Sequence, residues 1–306
     1  DELIAHGDES VRRLVAAAAE YETPAPARFT ALSLSELISS TGAVDWTVEG
    51  LLPTRGVLLL AGEPGTGKTW LLLDLATAIA TGSLWLGRFK VRRGNVLIID
   101  AENDTPQIKE RVKGLLRAKA LEPDDESCPV KWSMNSQLKV DRSSDVDALK
   151  EYIRTENVDL IIFDSFIRFH DSDENDAKAM ARVSAALREI ITDTGVTIVL
   201  GHHHGKGYGR ANDLGSRARG SSEIRASVDS QIDTKKISSK TGREFVLEHI
   251  KSRYNQPEPS FKVFLEGAIE SGIYLTTGAI ETRGEHNTES IQEWVRKEIR
   301  GPGVIS

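Results

Sequence analysis

From residue 56 onward, short apolar runs alternate with longer segments whose apolar positions recur at helical spacing. GVLLLAG (56–62), NVLIID (95–100), a run at 129–132, VDLIIFD (158–164) and VTIVLG (196–201) have the length and aliphatic content of buried strands. Between them the spacing predicts helices near 67–81, 105–120, 144–156 and 175–193. Strands that are apolar on both faces and alternate with helices imply an α/β fold, with a mostly parallel central sheet covered by helices on both sides.

After residue 201 the pattern changes. GHHHGKGYGRANDLGSRARGSS is rich in glycine and almost free of large apolar residues, which predicts a long loop, of a length that in compact domains is usually functional or disordered. Three alternating segments follow, SVDSQIDTKK (227–236), REFVLEHIK (243–251) and SFKVFLEG (260–267), and these suit antiparallel strands added at one edge of the sheet. Upstream, an Ala-rich helix is predicted over 9–22 and is broken by TPAPA at 23–27. The polar tail from 281 predicts one amphipathic helix at 288–299 before a Gly-Pro-Gly turn. These shifts divide the chain into an N-terminal helix and linker (1–44), a core (45–280) and a C-terminal linker and helix (281–306), possible start of a further small domain.

Composition narrows the class. The 306 residues are 39% hydrophobic, enough for a real core, and the single cysteine, Cys128, excludes an intramolecular disulfide framework. No apolar run approaches the 18 or so residues of a membrane span, so no membrane partner is expected. The first residues lack a basic and apolar secretion signal, which predicts a cytoplasmic protein. The net charge of −7 argues against a polyanion-binding surface over the whole molecule, though not against a local basic channel.

The sharpest motif is Gly62-Glu63-Pro64-Gly65-Thr66-Gly67-Lys68-Thr69, with Trp70 beside it, a full match to G-x-x-x-x-G-K-[ST] between a predicted strand and a predicted helix. Glycines let successive backbone N–H groups curl around a phosphate, and the helix N-terminus adds partial positive charge. Lys68 would reach the β- and γ-phosphates of ATP, and the Thr69 hydroxyl would hold Mg²⁺. Such a loop needs an acid at a neighbouring strand end to organise the metal, and Asp164, closing LIIFD, is the natural choice.

Hydrolysis also needs a group that orients the attacking water. Asp100 and Glu102 both follow NVLIID. Pro106 suits the first helical position with Thr105 or Asp104 as N-cap, so the cap leaves Glu102 free; its place at the carboxyl end of a strand makes it the candidate catalytic base.

With these residues in place, GEPGTGKT, NVLIIDAEND, LIIFDS, TIVLGHHHGKG followed by RGSS, and the closing HIKSR resemble the RecA-like P-loop NTPases. The likeness is to the branch of RepA-type and DnaB-type hexameric replicative DNA helicases, known from plasmids and phages, and spans about 45–270. It implies Glu102 as base and Asp164 as metal-linked acid, and it places the γ-phosphate sensor on His202 or His203. Three adjacent histidines could suggest a metal site, but neighbouring strand residues face opposite ways and no cysteine lies nearby. The resemblance also implies DNA-contacting loops at about 168–178 and 205–222. In the second, Lys206, Arg210, Arg217 and Arg219 would hold a single-stranded phosphate backbone without reading bases. Lys251 and Arg253, at i and i+2, would act in a neighbouring subunit's ATP site, Arg253 as an arginine finger, which implies a homo-oligomeric ring, a hexamer in the resembling helicases.

The expected activity is therefore Mg-ATP hydrolysis coupled to movement on single-stranded DNA. A non-translocating DNA-binding recombinase or loader, and a regulatory ATPase scaffold without nucleic acid, remain open because they share the core. The first 44 residues show no recognisable primase-interacting helical domain, and there the chain departs from the branch's pattern.

Overall fold

The computed structural model describes residues 31–40, 42–121, 128–203, 219–237 and 243–280. The predicted helices at 9–22 and 288–299 lie outside these residues, as does most of the glycine-rich segment, including Lys206, Arg210 and Arg217. The chain divides into two compact units, Asp1–Ala43 and Val44–Ser306. In the first, helix α1 (Leu34–Ser40) starts with a reciprocal cap: the Ser33 backbone N–H donates to Glu36 at 2.7 Å, and the Glu36 N–H donates to the Ser33 hydroxyl at 3.3 Å.

The second unit opens with a short antiparallel pair, β1 (Trp46–Val48) and β2 (Leu52–Pro53). The parallel elements follow in chain order: β3 (Val57–Gly62), α2 (Lys68–Thr81), β4 (Val96–Asp100), α3 (Thr105–Ala118), β5 (Val130–Met134), α4 (Ser143–Glu156), β6 (Leu160–Asp164), α5 (Ala177–Thr194) and β7 (Thr197–His203). Then come α6 (Arg219–Ser227), β8 (Ser230–Lys236), β9 (Glu244–Ser252), β10 (Phe261–Ala268) and β11 (Gly272–Ala279). One nine-stranded sheet has the order β11-β10-β9-β8-β3-β7-β6-β4-β5. This is the predicted RecA-like architecture, a mostly parallel sheet flanked by helices and extended by antiparallel strands at one edge.

Two predictions need correction. The segment 227–236 was expected among the antiparallel strands, yet β8 runs parallel to β3, pairing Leu58 with Ser230 and Gly62 with Thr234. Its burial explains this: the first five residues of β8 are covered on both faces, as a strand inside a parallel sheet must be. The antiparallel extension is β9, β10 and the unforeseen β11. The segment 201–222, expected as loop throughout, is also regular at both ends, because β7 reaches His203 and α6 starts at Arg219.

Alternating strand residues feed two cores. Leu58, Leu60, Ile98 and Ile162 pack with α2 on one face, whereas Leu59, Leu97, Ile161 and Phe163 pack with α4 and α5 on the other. Cys128 is buried at the edge of the first. Just beyond β6, Phe166 and Phe169 sit on a 3₁₀ turn with their rings 6.0 and 5.2 Å from that of Phe163, and all three are fully buried. Truncating such a side chain to alanine costs about 3–5 kcal/mol, so the chain after Asp164 is firmly anchored.

Candidate functional site

The carboxyl ends of β3, β4, β6 and β7 converge on a cleft of about 410 Å³. Its floor is the loop from Gly62 to Thr69. Gly67, with φ +81°, turns the chain into α2, and a Cβ there would lie 2.6 Å from the Phe245 ring. Gly62 is required by close packing, since its Cβ would meet the Thr234 hydroxyl at 2.1 Å. Thr66, almost fully buried, ties the loop to β8 through a 2.6 Å contact with the same Thr234 hydroxyl.

Lys68 is buried, and its Nζ donates to the Gly62 and Glu63 carbonyls at 2.9 Å each. Burial, the largest influence, lowers its pKa against the opposing pull of Asp164 and Glu102. The Thr69 hydroxyl donates to Asp164 at 3.1 Å, the pairing expected of two groups that share one cation. Burial first, and then the charge of Asp100, raise the Asp164 pKa to about 6, with the Thr69 bond opposing. A Cβ at Gly201 on β7 would lie 3.1 Å from the Asp164 carboxylate, so this glycine leaves it room.

Asp100 lies in register with Asp164 on the adjacent strand. One of its oxygens accepts the backbone N–H groups of Glu102 and Asn103 at 2.9 Å each, which shapes the turn that projects Glu102 into the cleft. Asn103 bridges the two aspartates, donating to Asp100 at 3.0 Å and to Asp164 at 3.4 Å. Glu102 meets His203 Nε2 at 3.0 and 3.1 Å. Partial burial is the largest single influence on Glu102 and pushes its pKa up. The His203 bond and charge, the Ser165 hydroxyl and Lys68 together outweigh it and hold Glu102 below the usual value.

The two sensor candidates separate. His203 lines the cleft, whereas His202 is buried with its Nδ1 3.7 Å from Glu174. Lys251 and Arg253 are absent from the cleft lining. They sit beside the start of β8, where Ser252 pairs with Ser230, at the amino end of the parallel strands; the four residue steps from Ser230 to Thr234, which pairs with Gly62 of the loop, span about 13 Å.

Several cleft residues carried no motif. The Arg111 guanidinium lies 5.1 Å from the Trp70 ring centre, forming with it a flat platform beside the loop that suits a planar heterocycle. Phe245 and Leu265 of the antiparallel extension add apolar wall, and Arg243 lies near them. Arg111 had one legible signal, since it falls three residues after Ile108 and four before Leu115 on the buried stripe of α3. Phe245 had none, because only the tertiary fold brings β9 to Gly67.

A buried ammonium in a glycine-bounded loop, a hydroxyl–carboxylate pair beside it and a projecting carboxylate fit a nucleoside triphosphate with Mg²⁺. The sequence comparison agrees. A family model described as an AAA domain matches residues 23–209, more than half of the 306-residue chain, and the chain belongs to that family. It is a P-loop ATPase domain of RecA-like fold. Among solved structures, the flagellar accessory protein FlaH from Methanocaldococcus jannaschii is similar at 16% identity, with 74% of this chain and 92% of that chain covered and a TM-score of 0.49. Among the described residues, no helix is long and apolar enough to cross a membrane.

Proposed function

We propose that this ATPase is a Mg-ATP-dependent motor on single-stranded DNA, a ring-forming replicative helicase of the RepA/DnaB type whose ATP sites are completed between subunits of a hexamer. The observation that carries this reading is the 3.0 Å contact between His203 and Glu102. His203 ends β7, and the chain passes from it directly into the segment bearing Lys206, Arg210 and Arg217, with Arg219 opening α6. A phosphate backbone held by those cations acts on the candidate base through a strand end.

In the catalytic cycle the backbone N–H groups of Gly65 to Thr69 and the Lys68 ammonium hold the phosphates, while Trp70 and Arg111 flank the base. Thr69 and Asp164 would hold the metal. Bound Mg-ATP supplies the electrophilic phosphorus, and the cation offsets charge on the transferred group. Glu102, kept ionised by His203 and Ser165, orients a water for in-line attack and takes its proton. His203 then senses the change at the γ-phosphate position through the same carboxylate. Arg253, flanked by Lys251, stabilises transition-state charge in the neighbouring subunit, because its position at the amino end of the parallel strands, away from its own loop, suits only a second copy's site.

The test is steady-state ATP hydrolysis with and without a single-stranded oligonucleotide. Glu102→Gln and a combined Lys206→Ala, Arg210→Ala, Arg217→Ala variant serve as comparisons. Several-fold stimulation lost in both variants is the expected result, with DNA affinity that falls steeply with salt. Robust hydrolysis indifferent to DNA overturns the nucleic-acid assignment in favour of a regulatory ATPase. Stimulation without fork unwinding narrows the protein to a recombinase or loader.

A further inference from the structure

A second polar centre lies at the amino end of the sheet, and the catalytic residues named above leave its buried acid without a role. Asp229, 1% exposed, follows α6 and precedes β8. One of its carboxylate oxygens accepts the Val57 N–H at 2.9 Å and Arg188 of α5 at 2.8 Å, and the other pairs with Arg253 at 2.9 Å. The Arg253 backbone N–H also donates to the Asp229 carbonyl at 2.9 Å, so Arg253 is held to one residue by both main chain and side chain. Lys251 Nζ donates to the Arg225 and Ala226 carbonyls at 2.7 and 2.9 Å, and Arg188 donates to the Ser227 carbonyl at 2.8 Å. These are the last carbonyls of α6, where cations are favoured by the helix dipole.

Three cations thus crowd one buried carboxylate and one helix end. Burial, the largest influence, and then the neighbouring Arg253 charge push the Lys251 pKa down, and Arg188 adds to the effect. The Arg253 side chain remains 48% exposed, so a group fixed at one side is open on the other. An exposed arginine on a flexible stem loses rotamer freedom whenever it binds. One pinned by a buried carboxylate is already ordered and presents its remaining N–H groups in a fixed direction.

We infer that Asp229 is a positioning residue that aims Arg253 at the nucleotide of a second copy of this chain, and that Lys251 acts by tying the same strand to the end of α6. This rests on the composite-site reading proposed above. It gives α6, which follows the basic segment, a direct connection to the finger strand.

The test uses the full chain and its DNA-independent ATP hydrolysis. Asp229→Asn is expected to lower kcat tenfold or more with KM within twofold. A merely structural lesion would not be repaired by a partner, so the variant is then mixed with Glu102→Gln. The Glu102→Gln subunit lacks its own base but carries an intact Asp229–Arg253 pair. At an interface where an Asp229→Asn subunit supplies the loop and a Glu102→Gln subunit supplies the arginine, a complete site forms. Random mixing in equal amounts creates that arrangement at about one interface in four. Arg253→Ala, mixed in the same way, is the reference, and Asp229→Glu repeats the test with the buried charge retained should the asparagine variant not fold.

Recovery of hydrolysis on mixing for both the Asp229 and Arg253 variants supports the inference. Recovery for Arg253→Ala alone overturns the role of Asp229 and leaves the composite site standing. Recovery for neither overturns both. Wild-type turnover in the unmixed Asp229 variants overturns the positioning role outright.

Discussion

The two ends of the same parallel strands carry opposite charge inventories. At the carboxyl end, Asp100, Glu102 and Asp164 face Lys68, with Arg111 close enough to interact with both aspartates. At the amino end, beside the start of β8, the buried Asp229 faces Arg188 and Arg253, with Lys251 nearby. Burial, and then the charge of Asp100, raise the Asp164 pKa to about 6, and the clustered carboxylates favour an added cation, whereas cations crowded around Asp229 favour an added anion. In the proposed assembly, head-to-tail stacking brings the basic end of one copy to the phosphates bound at the acidic end of the next. Such a heterologous contact closes into a ring when its rotation allows.

Perturbing the basic end should give the largest effect. Arg253→Ala is expected to reduce kcat on the order of 10³-fold, the scale of an arginine finger, with nucleotide affinity nearly unchanged. Equal losses in turnover and binding, from titration of a fluorescent nucleotide alongside kinetics, would place Arg253 in its own site. At the acidic end Glu102→Gln should cost on the order of 10² to 10³ in kcat while nucleotide still binds. Retention of most of the activity would transfer the base role elsewhere. His203→Ala sharpens the comparison: basal hydrolysis should fall roughly tenfold, within the range of a lost charge-assisted hydrogen bond, and the response to DNA should disappear. An unaltered stimulation ratio would break the proposed link between the basic segment and the base.

Asp74, on α2, is the control for burial without function. Burial raises its pKa to about 6, against the opposing effects of Lys119 and of the Leu86 N–H that it accepts at 3.0 Å. In the unfolded chain an aspartate titrates near 3.9, so between about pH 4 and 6 the folded state binds more protons and stability falls as pH rises. Asp74→Asn removes that slope. Relative to wild type it should gain about 2–3 kcal/mol on going from pH 4 to pH 7, with hydrolysis little changed. Urea unfolding at the two pH values measures this, and parallel curves would mean that Asp74 titrates normally in the folded state.

Residues whose chemistry is local were legible in the sequence. The P-loop, the strand-end Asp164 and the projecting Glu102 are each written within a few consecutive positions, as is the apolar alternation that predicts the parallel sheet. The direction of β8 was not legible, because Ser, Asp and Gln at 229–233 read as a half-exposed strand although neighbouring elements bury them. Phe245 against Gly67 joins positions 178 residues apart, and the Asp229 centre gathers side chains from α5 and the end of β9 with main-chain carbonyls from the end of α6. The resemblance marks Lys251 and Arg253 for a neighbouring subunit's site, but their anchors within their own chain, the α6 carbonyls for Lys251 and Asp229 for Arg253, emerge only from the fold.

The most direct test of the central claim is ATP turnover per chain across a range of protein concentration, with assembly followed in parallel by sedimentation. A composite site predicts a rate per chain that climbs as oligomers form and then saturates, while Arg253→Ala assembles equally well and stays flat. A constant wild-type rate per chain, from monomers through to assemblies, would contradict the account.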